Sequence, residues 1–130
     1  MTITFYLQSL VDDTYLAAFE PDLADLLKTG ETNCSKVIAV AFEELKMSLQ
    51  ARNKENANIP QSESPKCKII HAYKTLEMLY RRAIKEGGDR FHTLSEIYRE
   101  KYLTSLDQLI IQYDYDESGD ISEDEEELGN

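Results

Sequence analysis

The sequence has little cysteine and no long apolar run. Cys34 and Cys67 lie far apart, without the CxxC spacing or the nearby histidine pair of a metal or redox motif, so both are expected to be buried thiols. No apolar stretch approaches the roughly 20 residues that cross a bilayer. The first residues, Met1 to Leu7, lack the basic flank and long apolar core of a secretory signal. We therefore expect a protein that stays in the cytoplasm where it is made.

Basic residues are missing from the C-terminal end. The net charge of the chain is −11, and the segment from Asp114 to Asn130 carries nine acidic residues and no Lys or Arg. The preceding part is close to neutral. A balanced body with an acidic tail disfavours contact with phosphate backbones, which requires a positive surface. Sequence-specific nucleic-acid binding is therefore not expected.

Motifs of catalysis are missing as well. His71 and His92 share no motif with a Ser or Cys nucleophile, and Gly87-Gly88 lacks the Lys and Ser/Thr of a phosphate-binding loop. Asp12-Asp13 and Glu43-Glu44 are adjacent pairs, and neighbours on a helix point in different directions, so neither makes an acid/base pair. We predict that the protein is not an enzyme.

The N-terminal part predicts an arm and two short helices. Apolar and polar residues alternate from Ile3 to Leu7, which is typical of a short strand or an extended arm, with a loose terminus as the alternative. From Val11 to Leu27 apolar residues recur at helical spacing, and Pro21 is expected to open a second helical piece. Gly30 ends this pattern.

Three long amphipathic helices follow. The first runs through Val37 to Leu49, with Asn33 or Ser35 as its cap. The segment from Arg52 to Ser64 is polar and contains proline, which predicts a surface loop. Ser64-Pro65 then starts a helix that is expected to end near Glu86, because Gly87-Gly88 allows left-handed backbone angles. A last helix is expected to reach about Tyr113.

The predicted fold is mainly α. It is a helical bundle of three long and one or two short helices at residues 11–113, with an extended arm at 1–10 and an acidic tail at 114–130. Tyr73, Tyr98 and Tyr102 have core spacing, whereas Tyr80 fits either the core or an interface.

The tail matches a calcium loop of the EF-hand type in its ligand positions. Residues that can offer oxygen ligands to calcium occur at roughly every second position of the segment. Gly119 falls where such loops turn sharply. The candidate ligands are Asp114, Asp116, Ser118, Asp120, Ser122 and Glu125. No exiting helix and no second loop follow, so Ca²⁺ would bind weakly. The alternative is a solvated acidic tail.

A basic cluster surrounds the expected end of the second long helix. It comprises Arg81, Arg82, Lys85 and Arg90. Cations at a helix C-terminus complement the negative end of its dipole, which is one sufficient explanation. The other is a partner-binding socket for an acidic segment, such as the tail of a neighbouring copy.

Three stretches of the chain resemble a known family. The segments from Ala72 to Ala83, from Gly88 to Phe91 and from Tyr98 to Tyr102, followed by an acidic Asp-rich end, resemble the small helical head-to-tail connector proteins of tailed bacteriophages, also called adaptor or head-completion proteins. The resemblance covers roughly residues 35 to 113 and includes no catalytic signature. The calcium-type loop departs from the family pattern.

The resemblance implies a structural role in the neck of a virion. A protein of this family would form a homo-oligomeric, commonly dodecameric, ring that joins the portal protein to the tail or neck proteins, and packaged DNA would pass through it. The strand-like start and the acidic end would then be docking arms. The alternative function is a calcium-binding adaptor or regulatory module with a single EF-hand-like loop.

Overall fold

The computed structural model describes residues 8–52, 61–112 and 127–129. Within them the chain is mainly helical, which confirms the predicted fold class. The helices are α1 (Asp13–Ala17), α2 (Ser35–Arg52), α3 (Ser64–Arg82) and α4 (Ile84–Gln108), with 3₁₀ turns at Leu23–Leu26 and Gln61–Glu63. Two three-residue strands, β1 (Ile110–Gln112) and β2 (Glu127–Gly129), pair in antiparallel fashion.

The long helices begin where local chemistry predicts, although the caps differ in detail. At the start of α2, the Asn33 side-chain oxygen accepts a hydrogen bond from the Ser35 N–H at 3.0 Å, so asparagine is the residue that caps. At the start of α3, Pro65 lies in the first turn as predicted. The predicted Ser64 cap is wrong, because the Ser64 hydroxyl accepts a hydrogen bond from the Gln8 N–H, 56 residues away.

The predicted helix ends need two corrections. The helix expected to reach Glu86 ends at Arg82, and Ala83 (φ −99°, ψ 8°) separates it from α4. Gly88 does adopt the expected positive φ of 58°, but it kinks α4 instead of ending α3. The last helix ends at Gln108, short of Tyr113, because Leu109 turns extended and the β-branched pair Ile110-Ile111 enters a strand.

The central helix α3 packs against both α2 and α4. Its first half contributes to a lower cluster and its second half to an upper cluster. The lower cluster contains Leu45, Leu49, Cys67, Ile70, Tyr102, Leu106 and Leu109. The upper cluster contains Val11, Leu16, Leu23, Leu26, Cys34, Val37, Ile38, Ala72, Leu76, Leu79, Tyr80, Ala83 and Tyr98. The short N-terminal elements therefore complete the upper half of the core.

The aromatic residues pack as a connected set in the upper cluster. Tyr80 and Tyr98 stack with ring planes 4° apart and centroids 6.0 Å apart, so Tyr80 belongs to the core. The Tyr98 hydroxyl donates to the Glu20 carboxylate at 2.8 Å, which ties the segment after α1 to α4. Burial of the two phenols raises the pKa of each above its ordinary value.

Residues 8–12 form an extended strap across α2 and α3. Gln8 bonds to Ser64 through its backbone and to Gln61 through its side chain. One residue further, the Ser9 hydroxyl lies 3.3 Å from His71 Nδ1. The strap ends at Asp12, whose side chain caps α1 by accepting from the Tyr15 N–H at 2.8 Å. The start of the described chain is thus fixed to the bundle by side-chain hydrogen bonds.

Candidate functional site: an acidic groove beside the second helix

The candidate calcium ligands from Asp114 to Glu125 lie outside the described residues. Within residues 8–52, 61–112 and 127–129, no group of three or more His, Cys, Asp or Glu side chains is arranged to hold a metal ion. Calcium binding by the tail therefore stays a prediction of its sequence pattern.

One member of the predicted basic cluster is held inside the bundle. The Arg82 guanidinium donates to both Glu31 carboxylate oxygens, at 2.5 and 3.1 Å, and to the Leu26 carbonyl at 3.2 Å. These contacts lower the pKa of Glu31 to about 2, with the Arg82 hydrogen bond as the largest cause. Arg82 therefore fastens the loop before α2 to the end of α3, and its side chain is committed within the chain.

Arg81 belongs to a second network, around a buried carboxylate. Glu77 is almost completely buried and forms ion pairs with Arg81, one turn later, and with Lys74 at 3.1 Å. Burial lowers the pKa of the Lys74 ammonium. The Arg81 side chain keeps 54% of its surface exposed, so it can satisfy Glu77 and still meet a partner.

Lys85 and Arg90 are exposed beyond the end of α3. The Arg90 guanidinium lies 5.9 Å from the centroid of the Phe91 ring. It lines a small cleft together with Asp22 and Asp25. Acidic side chains therefore alternate with the basic ones at this corner, and the structure does not bring the four predicted residues into one uniformly positive surface. Their role as a partner-binding site stays a prediction.

A larger open groove lies where the strap, α1 and the first half of α2 meet. Its volume is about 730 Å³, within the ~300–1,000 Å³ range of ligand-sized pockets. Its lining residues come from the strap and α1, from the turn before α2, and from two turns of α2: Ser9, Val11, Asp12, Asp13, Thr14, Thr32, Asn33, Ser35, Ile38, Ala39, Phe42 and Glu43. We call this surface the acidic groove.

The floor of the acidic groove is apolar and firmly anchored. Val11 and Ile38 are core residues of the upper cluster, and Phe42 packs against the lower one. The Phe42 ring lies 5.1 Å from the ring of His71, which donates from Nε2 to the Ile38 carbonyl at 2.8 Å. Because the floor is built from core side chains, its shape is set by the packing of α2 on α3.

The charged side chains that line the groove are all carboxylates. Asp13 accepts hydrogen bonds from the Cys34 N–H with both carboxylate oxygens, at 3.1 and 3.2 Å, so it spans from α1 to the turn before α2. Asp12 caps α1, and Glu43 pairs with Lys46 at 2.8 Å. The lining includes three carboxylates and neither Lys nor Arg. This surface therefore favours a cationic ligand over an anionic one.

Sequence reasoning treated these acidic residues as separate surface charges. Asp12-Asp13 and Glu43-Glu44 are adjacent in the sequence, and neighbours on a helix do not have the geometry of a catalytic pair. No local pattern shows that Asp13 and Glu43, 30 positions apart, line the same groove. The closest local signal was Asp12, whose position before a helical pattern fits a helix cap.

The outward face of α2 is a second exposed feature. Val40 and Met47, two turns apart on the side away from α3, expose 50% and 63% of their surfaces. The opposite face of the same helix supplies core residues such as Ala41 and Leu45. Val40 and Met47 therefore add exposed apolar surface to the outward side of α2, next to the charged side chains of Glu43 and Glu44.

Among the described helices, none has the length and apolar character needed to span a membrane. Comparisons with protein-family models, with curated proteins and with solved structures find no match to this chain.

Proposed function

We propose that this protein is a structural connector of a tailed-phage virion neck, which forms a ring that joins the portal protein to the tail. The observation that carries the proposal is the outward face of α2, where Val40 and Met47 expose apolar surface on a helix whose other side is already in the core. Covering exposed apolar side chains with another protein removes their surface from water, which is favourable.

The way the chain is fastened supports the same role. The strap at residues 8–12 is hydrogen-bonded to α3 through Ser64 and His71, so a segment that precedes it starts from a fixed point on the bundle. A helical body with an anchored N-terminal strap suits an assembly protein. In such a ring the face of α2 would meet a different surface of the next copy, because a head-to-tail contact closes a ring when its rotation allows.

The test is assembly with portal rings. Purified chain mixed with purified rings of the cognate portal protein is expected to give a stoichiometric complex in sedimentation velocity and electron microscopy. The variants Val40→Lys and Met47→Lys should abolish or strongly weaken this assembly, since each places a charge where apolar surface would be covered.

Leu103→Lys provides the matched control. Leu103 lies on α4 and is 38% exposed, so the substitution adds the same charge outside the proposed contact. Circular dichroism checks that all three variants keep the helical fold. Failure of the unmodified chain to bind portal rings, or assembly by Val40→Lys and Met47→Lys at the level of Leu103→Lys, would count against the proposal.

A further inference from the structure

The acidic groove combines an apolar floor with a negatively charged rim. Its floor presents Ile38 and Phe42, and the exposed Ala39 lies beside them on α2. Its rim presents Asp12, Asp13 and Glu43, and its lining contains no Lys or Arg. An apolar floor under a negative rim complements a segment with apolar side chains on one face and cationic side chains at its edge.

We propose that the acidic groove docks a cationic amphipathic segment of a different protein. The apolar face of that segment would cover Phe42 and Ala39, and its Lys or Arg side chains would meet the carboxylates of Asp12 and Glu43. Neither Val40 nor Met47 lines the groove, although Glu43 lies one helical turn from each of them on α2. The proposal holds whether or not copies of the chain assemble into a ring.

The existing partners of the three carboxylates leave room for this contact. Glu43 is paired with Lys46 three residues later on the same helix, and the Glu43 side chain is 66% exposed. An ion pair in which one partner is this exposed contributes little to stability. An incoming cation can therefore replace Lys46 at small cost. Asp12 and Asp13 accept backbone N–H groups, which leaves their negative charge unneutralised.

The position of Lys46 shows where a cation can bind at the Glu43 edge of the groove. Its ammonium lies 2.8 Å from Glu43 and 5.0 Å from the centroid of the Phe42 ring. A cation over an aromatic face beside a carboxylate is a recurrent recognition geometry. The docked segment would reproduce it with its own side chain.

The experiment measures peptide binding to the full chain by fluorescence anisotropy. The probe is a labelled Leu/Lys peptide of about 18 residues that forms an amphipathic helix. Two comparison peptides have the same length: one in which Glu replaces Lys, and one in which Gly and Ser replace Leu while every Lys is kept. Only the Leu/Lys peptide is expected to bind tightly, and its affinity should fall as salt is added.

Variants locate the binding site and separate it from the acidic tail. Glu43→Lys and Ala39→Arg are each expected to weaken binding of the Leu/Lys peptide roughly tenfold or more. Glu100→Lys, at an exposed position of α4, makes the same charge change outside the groove and should leave binding nearly unchanged. Circular dichroism confirms that each variant is folded.

Three results would overturn the proposal. The first is equal binding of the Gly/Ser/Lys peptide, which would assign the interaction to charge alone. The second is an equal loss in Glu43→Lys and Glu100→Lys. The third is a change in the oligomeric state of the isolated chain caused by Glu43→Lys, which would make a second copy the occupant. All three are measured on the chain without portal protein, so the success or failure of portal assembly decides none of them.

Discussion

His71 is buried at the junction of the strap, α2 and α3, and its two ring nitrogens have different partners. Nε2 lies 2.8 Å from the Ile38 carbonyl, which can only accept, so Nε2 carries the proton. Nδ1 then accepts from the Ser9 hydroxyl at 3.3 Å. A second proton would place a positive charge on a side chain that is 2% exposed and packed against the Phe42 ring. The folded state therefore favours neutral His71.

This preference makes stability depend on pH in one direction. Burial lowers the pKa of His71 below its ordinary value, and the hydrogen bond to Ile38 opposes that shift only in part. In the unfolded chain histidine titrates near pH ~6.5, so below that pH the unfolded state binds more protons than the folded state. His71 should add no pH dependence above about pH 7.5, and below it the free energy of unfolding should fall, by up to about 1.4 kcal/mol at pH ~5.5.

Urea denaturation followed by circular dichroism at a series of pH values measures this loss. In His71→Gln the side chain still offers an N–H to Ile38 but has no proton to gain. That variant should be less stable than the unmodified chain at about pH 8. Its free energy of unfolding should stay constant between about pH 7.5 and 5.5. His92→Gln, at an exposed position of α4, is the control and should keep the full pH dependence. An equal fall in the unmodified chain and in His71→Gln would refute the argument.

The Glu31 carboxylate does not disturb this measurement. Because its pKa is lowered to about 2, its contribution to stability is lost only at more acidic pH, below about 4.5.

Three further predictions concern packing, backbone and thiols. Leu76→Ala should lower the free energy of unfolding by about 2–5 kcal/mol in chemical denaturation, because Leu76 is completely buried in the upper cluster; a loss below about 1 kcal/mol would contradict the packing. Gly88→Ala should cost about 1–3 kcal/mol in the same assay, since Gly88 has φ 58° and ψ −139°, a conformation that residues other than glycine rarely adopt, and equal stability of Gly88→Ala and Asp89→Ala would refute the backbone argument. Cys34 and Cys67 should react with a disulfide reagent at neutral pH only at the rate of unfolding, because burial raises their pKa to about 11 and about 12; immediate labelling of the folded chain would exclude this.

The helical content and most helix starts follow from local sequence. Apolar residues at steps of three and four identify the buried faces of α2, α3 and α4, and Asn33 and Pro65 mark two starts through their own chemistry. Local pattern predicted the helix ends less well. Gly88 has the expected positive φ, yet α3 already ends at Arg82.

The sites followed from sequence to a smaller degree. Proximity along the chain suggested one basic cluster, but Arg82 bonds to Glu31 and Arg81 to Glu77, and Arg90 shares a cleft with Asp22. Which partner a charged side chain takes can depend on a residue far away in the sequence, as with Arg82 and Glu31, 51 positions apart, and no local pattern encodes such a choice.

Sequence alone therefore determined the class of this protein, a helical bundle with two buried thiols and an acidic end. Periodicity and composition are local properties, so they can be read without knowing how the helices pack. Tertiary structure decided everything that needs two distant segments. It brought Asp12 and Asp13 of the N-terminal segment beside Glu43 of α2, placed Ser9 against His71, and left Val40 and Met47 on the outside. The physical reason is that side-chain burial is shared among helices, and only their packing determines which faces remain uncovered.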